Sequence, residues 1–397
     1  MSGPLTKRYR EGTPRLVPPQ ETLERLRPLL PELGITRLAN ITGLDRIGIP
    51  VVMCCRPNSR SISVSQGKGL DLDAAKASAI MESLEGYHAE RVRLPLMLSS
   101  YAELRATRPV VDVSRLTLSI NGRYHPELPL LWVQGRDWMS GEGTWVPFQL
   151  VHTAYTADLR LDATCFAASS SGLASGNHLV EAVSHAICEV VERDARWRFV
   201  QRLPEEQESL RLDLSSVDDP HCRRLLDRFE RAGVTVAAWE ITAAVELPSF
   251  LAAIEDAEDA PFGRLYAAGG LGCHPVRQVA LSRALSEAAQ SRLTAISGAR
   301  DDMPRLDDLL RNEARALERA GTLSSGRGRR AFAAAPSFEA DSLEDDLEWE
   351  LGALRKAGFG QVVVVDLTQA EIGIPVVRVI VPGLHRIGGR APADGPV

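Results

Sequence analysis

Three stretches of the chain repeat one arrangement of polar residues. Ser78, Glu82 and Glu85 stand at i, i+4 and i+7 in SAIMESLE. His185, Glu189 and Glu192 have the same spacing in HAICEVVE, as do Arg283, Glu287 and Gln290 in RALSEAAQ. On an α-helix these positions form one stripe. The rest of each segment is rich in Ala, Ile, Leu and Val, so each helix is expected to be largely buried. A buried carboxylate pair is costly unless something neutralises it. Arginine can do so, and so can a metal ion. Glu82, Glu85, Glu189 and Glu192 together suit Mg²⁺, a hard ion that takes oxygen ligands and shares them with phosphates. Lys68, in the glycine-bearing QGKGL just before the first helix, is placed to meet phosphate oxygens. Arg283 and Arg292 add charge-assisted contacts from the third helix. One ExxE alone is ordinary helix surface; the signal is three matched stripes, each preceded by a turn containing glycine.

The elements that must carry these stripes follow from the pattern. PQETLERLRPLLPEL opens as a helix, and ITRLANITGLDRIGIPVVMCC reads as strands around a turn at GLD. Strand, glycine turn and long helix follow, with Asp71 or Asp73 as N-cap. ASSSGLASGN reads as a second turn and LYAAGGLGCHP as a third, each before a long helix. Helix, strand, strand is expected over 218–256 and again over 338–381. Short strands and turns fill 106–150. The Gly/Ser/Arg-rich part of 303–335 reads as a surface segment. IGIPVV occurs twice, at Ile47–Val52 and Ile372–Val377. Recurrent strand composition and internal duplication both account for that echo.

Composition closes several function classes. The 397 residues are 44% hydrophobic and 25% charged, with net charge −6, so no nucleic-acid-binding surface is expected. No apolar run is long enough to span a membrane, and the basic start lacks a signal-peptide core, so a cytoplasmic protein is expected. Six cysteines form no CxxC and read as reduced, buried thiols. There is no GxSxG elbow, HExxH pair or GxGxxG loop.

GKG followed by SxxxExxE, then SSxGLAxGN leading into ExxERDA, then RALxEAxQSR, resembles the YcaO family over about Ile35 to Leu384. The resemblance implies an α/β (α+β) YcaO-type ATP-binding fold, with long helices carrying ExxE stripes on mixed β-sheets. It implies an arm and helix over 1–37, a catalytic domain over 38–384 and a tail over 385–397. It implies ATP and Mg²⁺ as cofactors, with Glu82, Glu85, Glu189 and Glu192 as metal ligands. Lys68, Arg283 and Arg292 become catalytic cations. Lys68, Ser78, His185, Glu287, Gln290 and Arg292 become nucleotide neighbours, joined by Arg15 and Thr22 from RLVPPQET. Ser171 stands where the family usually has Asn in SSNGLA. The implied activity is activation of a peptide backbone amide by O-phosphorylation. The run ITRLANITGLDRIGIPVV to SLE is most similar to members encoded with a TfuA partner, which implies thioamide formation. The end GGRAPADGPV has no PxPxP and only a short arm precedes residue 38, which points away from azoline formers. An azoline-forming cyclodehydratase, or a non-catalytic accessory factor for ribosomal-protein methylthiolation, are the alternatives. A peptide or protein substrate, a TfuA-like protein and a second copy in a homodimer are the implied partners.

Overall fold

The computed structural model describes residues 4–155, 165–256, 267–300, 302, 328–385 and 389–390. Most of the Gly/Ser/Arg-rich surface segment and of the C-terminal tail expected from sequence lie outside these residues.

The first unit is helix α1 (Pro19–Leu26), strands β1 (Arg37–Asn40), β2 (Val51–Cys55) and β3 (Val64–Lys68), and helix α2 (Leu72–Ala89). Asp71 caps α2 by accepting from the Ala74 amide at 2.8 Å. Next come β4 (Leu96–Ser99), the short α3 (Tyr101–Arg105), β5 (Leu118–Ser119), β6 (Leu130–Asp137) and β7 (Gly143–Pro147). Then follow β8 (Leu173–Ser175), the long α4 (Leu179–Val200) and the short α5 (Pro204–Ser209). A second unit runs α6 (Pro220–Arg231), β9 (Val234–Glu240), β10 (Ser249–Asp256), β11 (Ala268–Cys273) and α7 (Arg277–Ser297). The chain closes with α8 (Leu343–Lys356), β12 (Val363–Asp366), β13 (Val376–Ile380) and β14 (Gly389–Arg390).

Three antiparallel triplets repeat one plan. They are β1-β2-β3, β9-β10-β11, and β12-β13-β8 inside a six-stranded sheet completed by β4, β6 and β7. The last strand of each triplet leads into a stripe-bearing helix, α2, α7 or α4. The helix preceding each triplet packs on that stripe helix: α1 on α2, α6 on α7 and α8 on α4. In the third unit chain order is permuted, because β8 and α4 come before α8, β12 and β13.

The repeated IGIPVV has a structural reason. Each copy enters a middle strand, β2 or β13, through a left-handed glycine, Gly48 at φ 73° and Gly373 at φ 67°. The middle strand β10 is entered through ELPSF, and Glu246 takes the left-handed place at φ 57°. The same corner thus recurs in all three units, which favours duplication over coincidence.

Two of the expected glycine turns hold strand, at Gly67 and Gly270, while Gly172 keeps a turn before β8 at φ 83°. Gly67, in β3, faces α2 so closely that a Cβ would meet Ala79 N at 2.1 Å and Ala75 O at 2.2 Å. In β11 a Cβ on Gly270 would meet Ala284 O and Ala288 N, both at 2.2 Å. These glycines let strand and helix backbones touch, where the sequence suggested turns and, at QGKGL, a contact with phosphate oxygens. The cysteines are free, and all but Cys55 are buried. No described helix is long and apolar enough to cross a membrane.

Candidate functional site

The three stripes face one cavity of about 910 Å³. Ser78, Glu82 and Glu85 enter it from α2, and His185, Glu189 and Glu192 from α4. Arg283, Glu287 and Gln290 enter from α7. The middle carboxylate of each stripe is tied to the strand of its own unit. Glu82 accepts from the Gln66 amide at 3.3 Å, Glu189 from Gly172 at 3.1 Å and Glu287 from Leu271 at 3.4 Å. Close strand–helix packing therefore also sets the aim of the carboxylates.

Cross-unit contacts complete the wall. Lys68 Nζ pairs with Glu287 at 2.8 Å. Glu85 accepts from the Ser175 amide at 2.8 Å and from its hydroxyl at 2.7 Å. Gln290 donates to the Gln66 carbonyl at 3.1 Å. Arg193 bridges Glu189 at 3.5 Å and Glu192 at 3.3 Å. Arg283 donates to Nε2 of His185 at 2.8 Å. Burial, and then the Arg283 charge, push the His185 pKa far below its ordinary value, so the ring is neutral. Because Nε2 accepts, the proton sits on Nδ1, which is buried without a partner.

The carboxylates feel their confinement. Burial pushes Glu85 up to about 8, reinforced by the charges of Glu82 and Glu189. Burial raises Glu192 to about 7, with Glu287 and Glu189 adding repulsion against Arg193. Glu82 is exposed to the cavity, yet protein surrounds it closely enough that burial raises its pKa also. Burial works the same way on Glu287, but Lys68 and then Arg193 overcome it and hold that group low.

Such a set suits hard divalent cations. Oxygen donors from two helices face each other, and two of them resist ionising until positive charge arrives. Among the described residues no three His, Cys, Asp or Glu groups converge on one point as a ready-made metal site.

The N-terminal arm reaches the same cavity. Arg15 lines it and pairs with Glu181 at 3.5 Å. Thr22 lines it and donates to Asn177 at 3.1 Å. Arg292 does not line it. Its guanidinium is buried between Asp45, at 2.9 Å, and Asp256, at 3.0 Å. Here Arg292, expected from sequence at the nucleotide, ties α7 to the first unit and to β10. Arg193, Gln66 and Ser175 were not singled out from sequence. Arg193 had a signal, standing four residues after Glu189 and next to Glu192.

Residues 66–385 match the family model described as YcaO cyclodehydratase, ATP- and Mg²⁺-binding. The chain belongs to the YcaO family. It is 38% identical over 379 residues to an uncharacterized protein in the tfuA 3′ region of Rhizobium leguminosarum bv. trifolii. That match covers 94% of this chain and 88% of the relative. A Methanothermobacter thermautotrophicus protein is 35% identical over 387 residues, covering 94% of this chain and 95% of its own. Among solved structures, YcaO from Methanopyrus kandleri bound with AMPPCP and Mg²⁺ superposes with TM-score 0.74 at 25% identity. It covers 96% of this chain and 95% of that one. A heterocyclase in complex with substrate and cofactor has TM-score 0.76 at 19% identity, covering 98% of this chain. This chain spans about half of the heterocyclase, 55%. As a YcaO protein, the chain is an ATP- and Mg²⁺-binding member of a family of ATP-dependent backbone amide-modifying enzymes.

Proposed function

We propose that this YcaO protein thioamidates a peptide backbone, working with a TfuA-like partner. The observation that carries the thioamide reading is the 38% identical relative in a tfuA 3′ region. Sulfide adds to the amide carbon, and the amide oxygen takes the γ-phosphoryl group of ATP. Phosphate then leaves with that oxygen, giving C=S, ADP and phosphate.

The residues divide this work by charge. Glu82, Glu85, Glu189 and Glu192 would hold Mg²⁺, which when bound neutralises charge on the triphosphate. Lys68 and Arg283 stabilise charge on the transferring group. Glu287 and His185, already paired with these two cations, hold them in position. His185 lies against the nucleotide as a neutral ring that fixes Arg283, and Ser78 and Gln290 offer hydroxyl and amide groups to orient it. Arg15 and Thr22 close on it from the arm.

Intact mass tests the reading. A peptide encoded beside the gene is incubated with the protein, ATP, Mg²⁺, sulfide and the TfuA-like partner. Thioamidation adds about 16 Da, as sulfur replaces oxygen. A loss of about 18 Da, water expelled by an internal nucleophile, would assign azoline formation instead. An unchanged peptide with ATP still bound would overturn the enzymatic reading in favour of an accessory role.

A further inference from the structure

Arg378 stands in the middle of β13, among valines and isoleucine, and is fully buried. A lone guanidinium in such a place is costly unless it is paired. Arg56, Arg292 and Lys7, also buried, each face a carboxylate within 3.0 Å. Arg378 instead donates to two backbone carbonyls. Its Nε reaches Leu150 at 2.7 Å and its Nη2 reaches Ser169, while Nη1 is buried without a partner. Burial lowers its pKa to about 10, with the Glu189 charge working the other way, so it stays a cation at neutral pH.

Those carbonyls belong to the wall of the cavity. Leu150 leads to Thr153 and Tyr155, and Ser169 opens the turn that carries Ser170; these four lining residues flank it. The turn closes with the Leu173 amide donating to the Ser170 carbonyl at 2.9 Å. It ends on Gly172, whose amide is the donor to Glu189. Here the third unit differs from the other two. Gln66 and Leu271, which serve Glu82 and Glu287, lie inside β3 and β11, where ladder bonds on the neighbouring strand hold them. Gly172 lies before β8, in the turn, and needs another hold. Two adjacent residues of β13 supply it: Arg378 through Ser169, and Val379 by donating its amide to the Gly172 carbonyl at 2.7 Å. Turn and strand sit so close that a Cβ on Gly172 would meet the Val379 carbonyl oxygen at 2.4 Å.

We propose that Arg378 is a positioning residue for the Mg²⁺ site: its fork fixes the 169–172 turn and, through the Gly172 amide, aims Glu189. An arginine suits this task because its planar donors reach two carbonyls from separate segments at once. Lysine would keep the charge and lose the fork. The inference rests on the reading of Glu189 as a Mg²⁺ ligand.

The test measures, by calorimetry on the full chain, the Mg²⁺ concentration that half-saturates AMPPCP binding. Arg378→Lys is expected to need at least about tenfold more Mg²⁺, the loss typical when a ligand's outer hydrogen bonds are cut. Gly172→Ala, which drives the same turn off β13, should give a shift of the same size. Val365→Ala is the control. Val365 is buried opposite Arg378 in the β12–β13 register, and β12 is one strand removed from β8. Its urea midpoint should fall while its Mg²⁺ requirement stays at the wild-type value. An unchanged requirement in Arg378→Lys would overturn the assignment. So would an equal shift in Val365→Ala, which would reduce the effect to lost stability. If lysine does not fold at 378, Gly172→Ala decides, and a wild-type requirement there overturns the proposal. Wild type whose AMPPCP binding ignores Mg²⁺, or Glu189→Gln with the wild-type requirement, would remove the metal reading itself and this inference with it.

Discussion

Glu85 and Glu192 are acids in a setting that opposes their ionisation, and that conflict makes the site measurable. An unfolded Glu titrates near 4.5, whereas folded Glu85 titrates at about 8 and Glu192 at about 7. Between these values the folded chain holds protons that the unfolded chain has released. The metal-free protein should thus lose stability as pH rises from about 4.5 to about 8. Melting of Glu85→Gln over this range should fall less than that of wild type, and Mg²⁺–AMPPCP should shrink the wild-type loss. A wild-type curve parallel to the variant's would remove the electrostatic argument. The same reasoning separates a metal site from structural ion pairing. Glu82→Gln and Glu189→Gln should abolish Mg²⁺-dependent AMPPCP binding, by calorimetry, while melting cooperatively. Normal binding would dismiss the ligand assignment, and an unfolded variant would show that these groups are needed as structure.

The elements were legible where a periodic signal existed. Apolar faces and the Asp71 cap defined the stripe helices, and the i, i+4, i+7 spacing put their polar groups on one cavity. The preceding glycines were misread because a glycine before a helix looks alike in two settings. It can open a phosphate loop, or it can let a strand lie against the helix. Only packing decides, and here it is the second. Arg292 escaped for a related reason. Its partners Asp45 and Asp256 lie 247 and 36 residues away in sequence, and no local pattern announces them. If strand contact is the reason for glycine, Gly67→Ala must push β3 from α2. A destabilisation of about 1–3 kcal/mol is expected from such overpacking, with weaker AMPPCP binding because Glu82 is aimed from β3. Gly43→Ala is the control, having nothing within 4 Å of its Cβ. Equal urea midpoints for the two variants would return Gly67 to a loop-like role.

At the scale of the molecule, three copies of one unit line one cavity, and the N-terminal arm contributes to its wall. The permuted third unit was beyond sequence reading, since β8 pairs with β13 from the other end of the chain. The arm's attachment was equally hidden. Lys7 Nζ lies 2.6 Å from Asp346 on α8, with side chains 1% and 3% exposed. It also donates to the Ala340 carbonyl at 2.8 Å, while Thr6 bridges Ser342. The arm is thus anchored on the third unit, while Arg15 reaches the cavity and α1 packs on the first. Removing one partner of a buried pair leaves an uncompensated charge, so Lys7→Ala should cost about 3–5 kcal/mol at neutral pH. Burial already raises the Asp346 pKa despite Lys7, and losing the lysine should raise it further. Acid should therefore return part of that stability. Nucleotide affinity should fall as well, because Arg15 and Thr22 lose their placement. The double variant Lys7→Met with Asp346→Leu removes both charges and retains apolar contact. It should regain stability and AMPPCP affinity together. Recovery of stability without affinity would mean that the arm closes the cavity through the ion pair's geometry. A Lys7→Ala protein that binds AMPPCP normally would mean that the arm takes no part in holding the nucleotide.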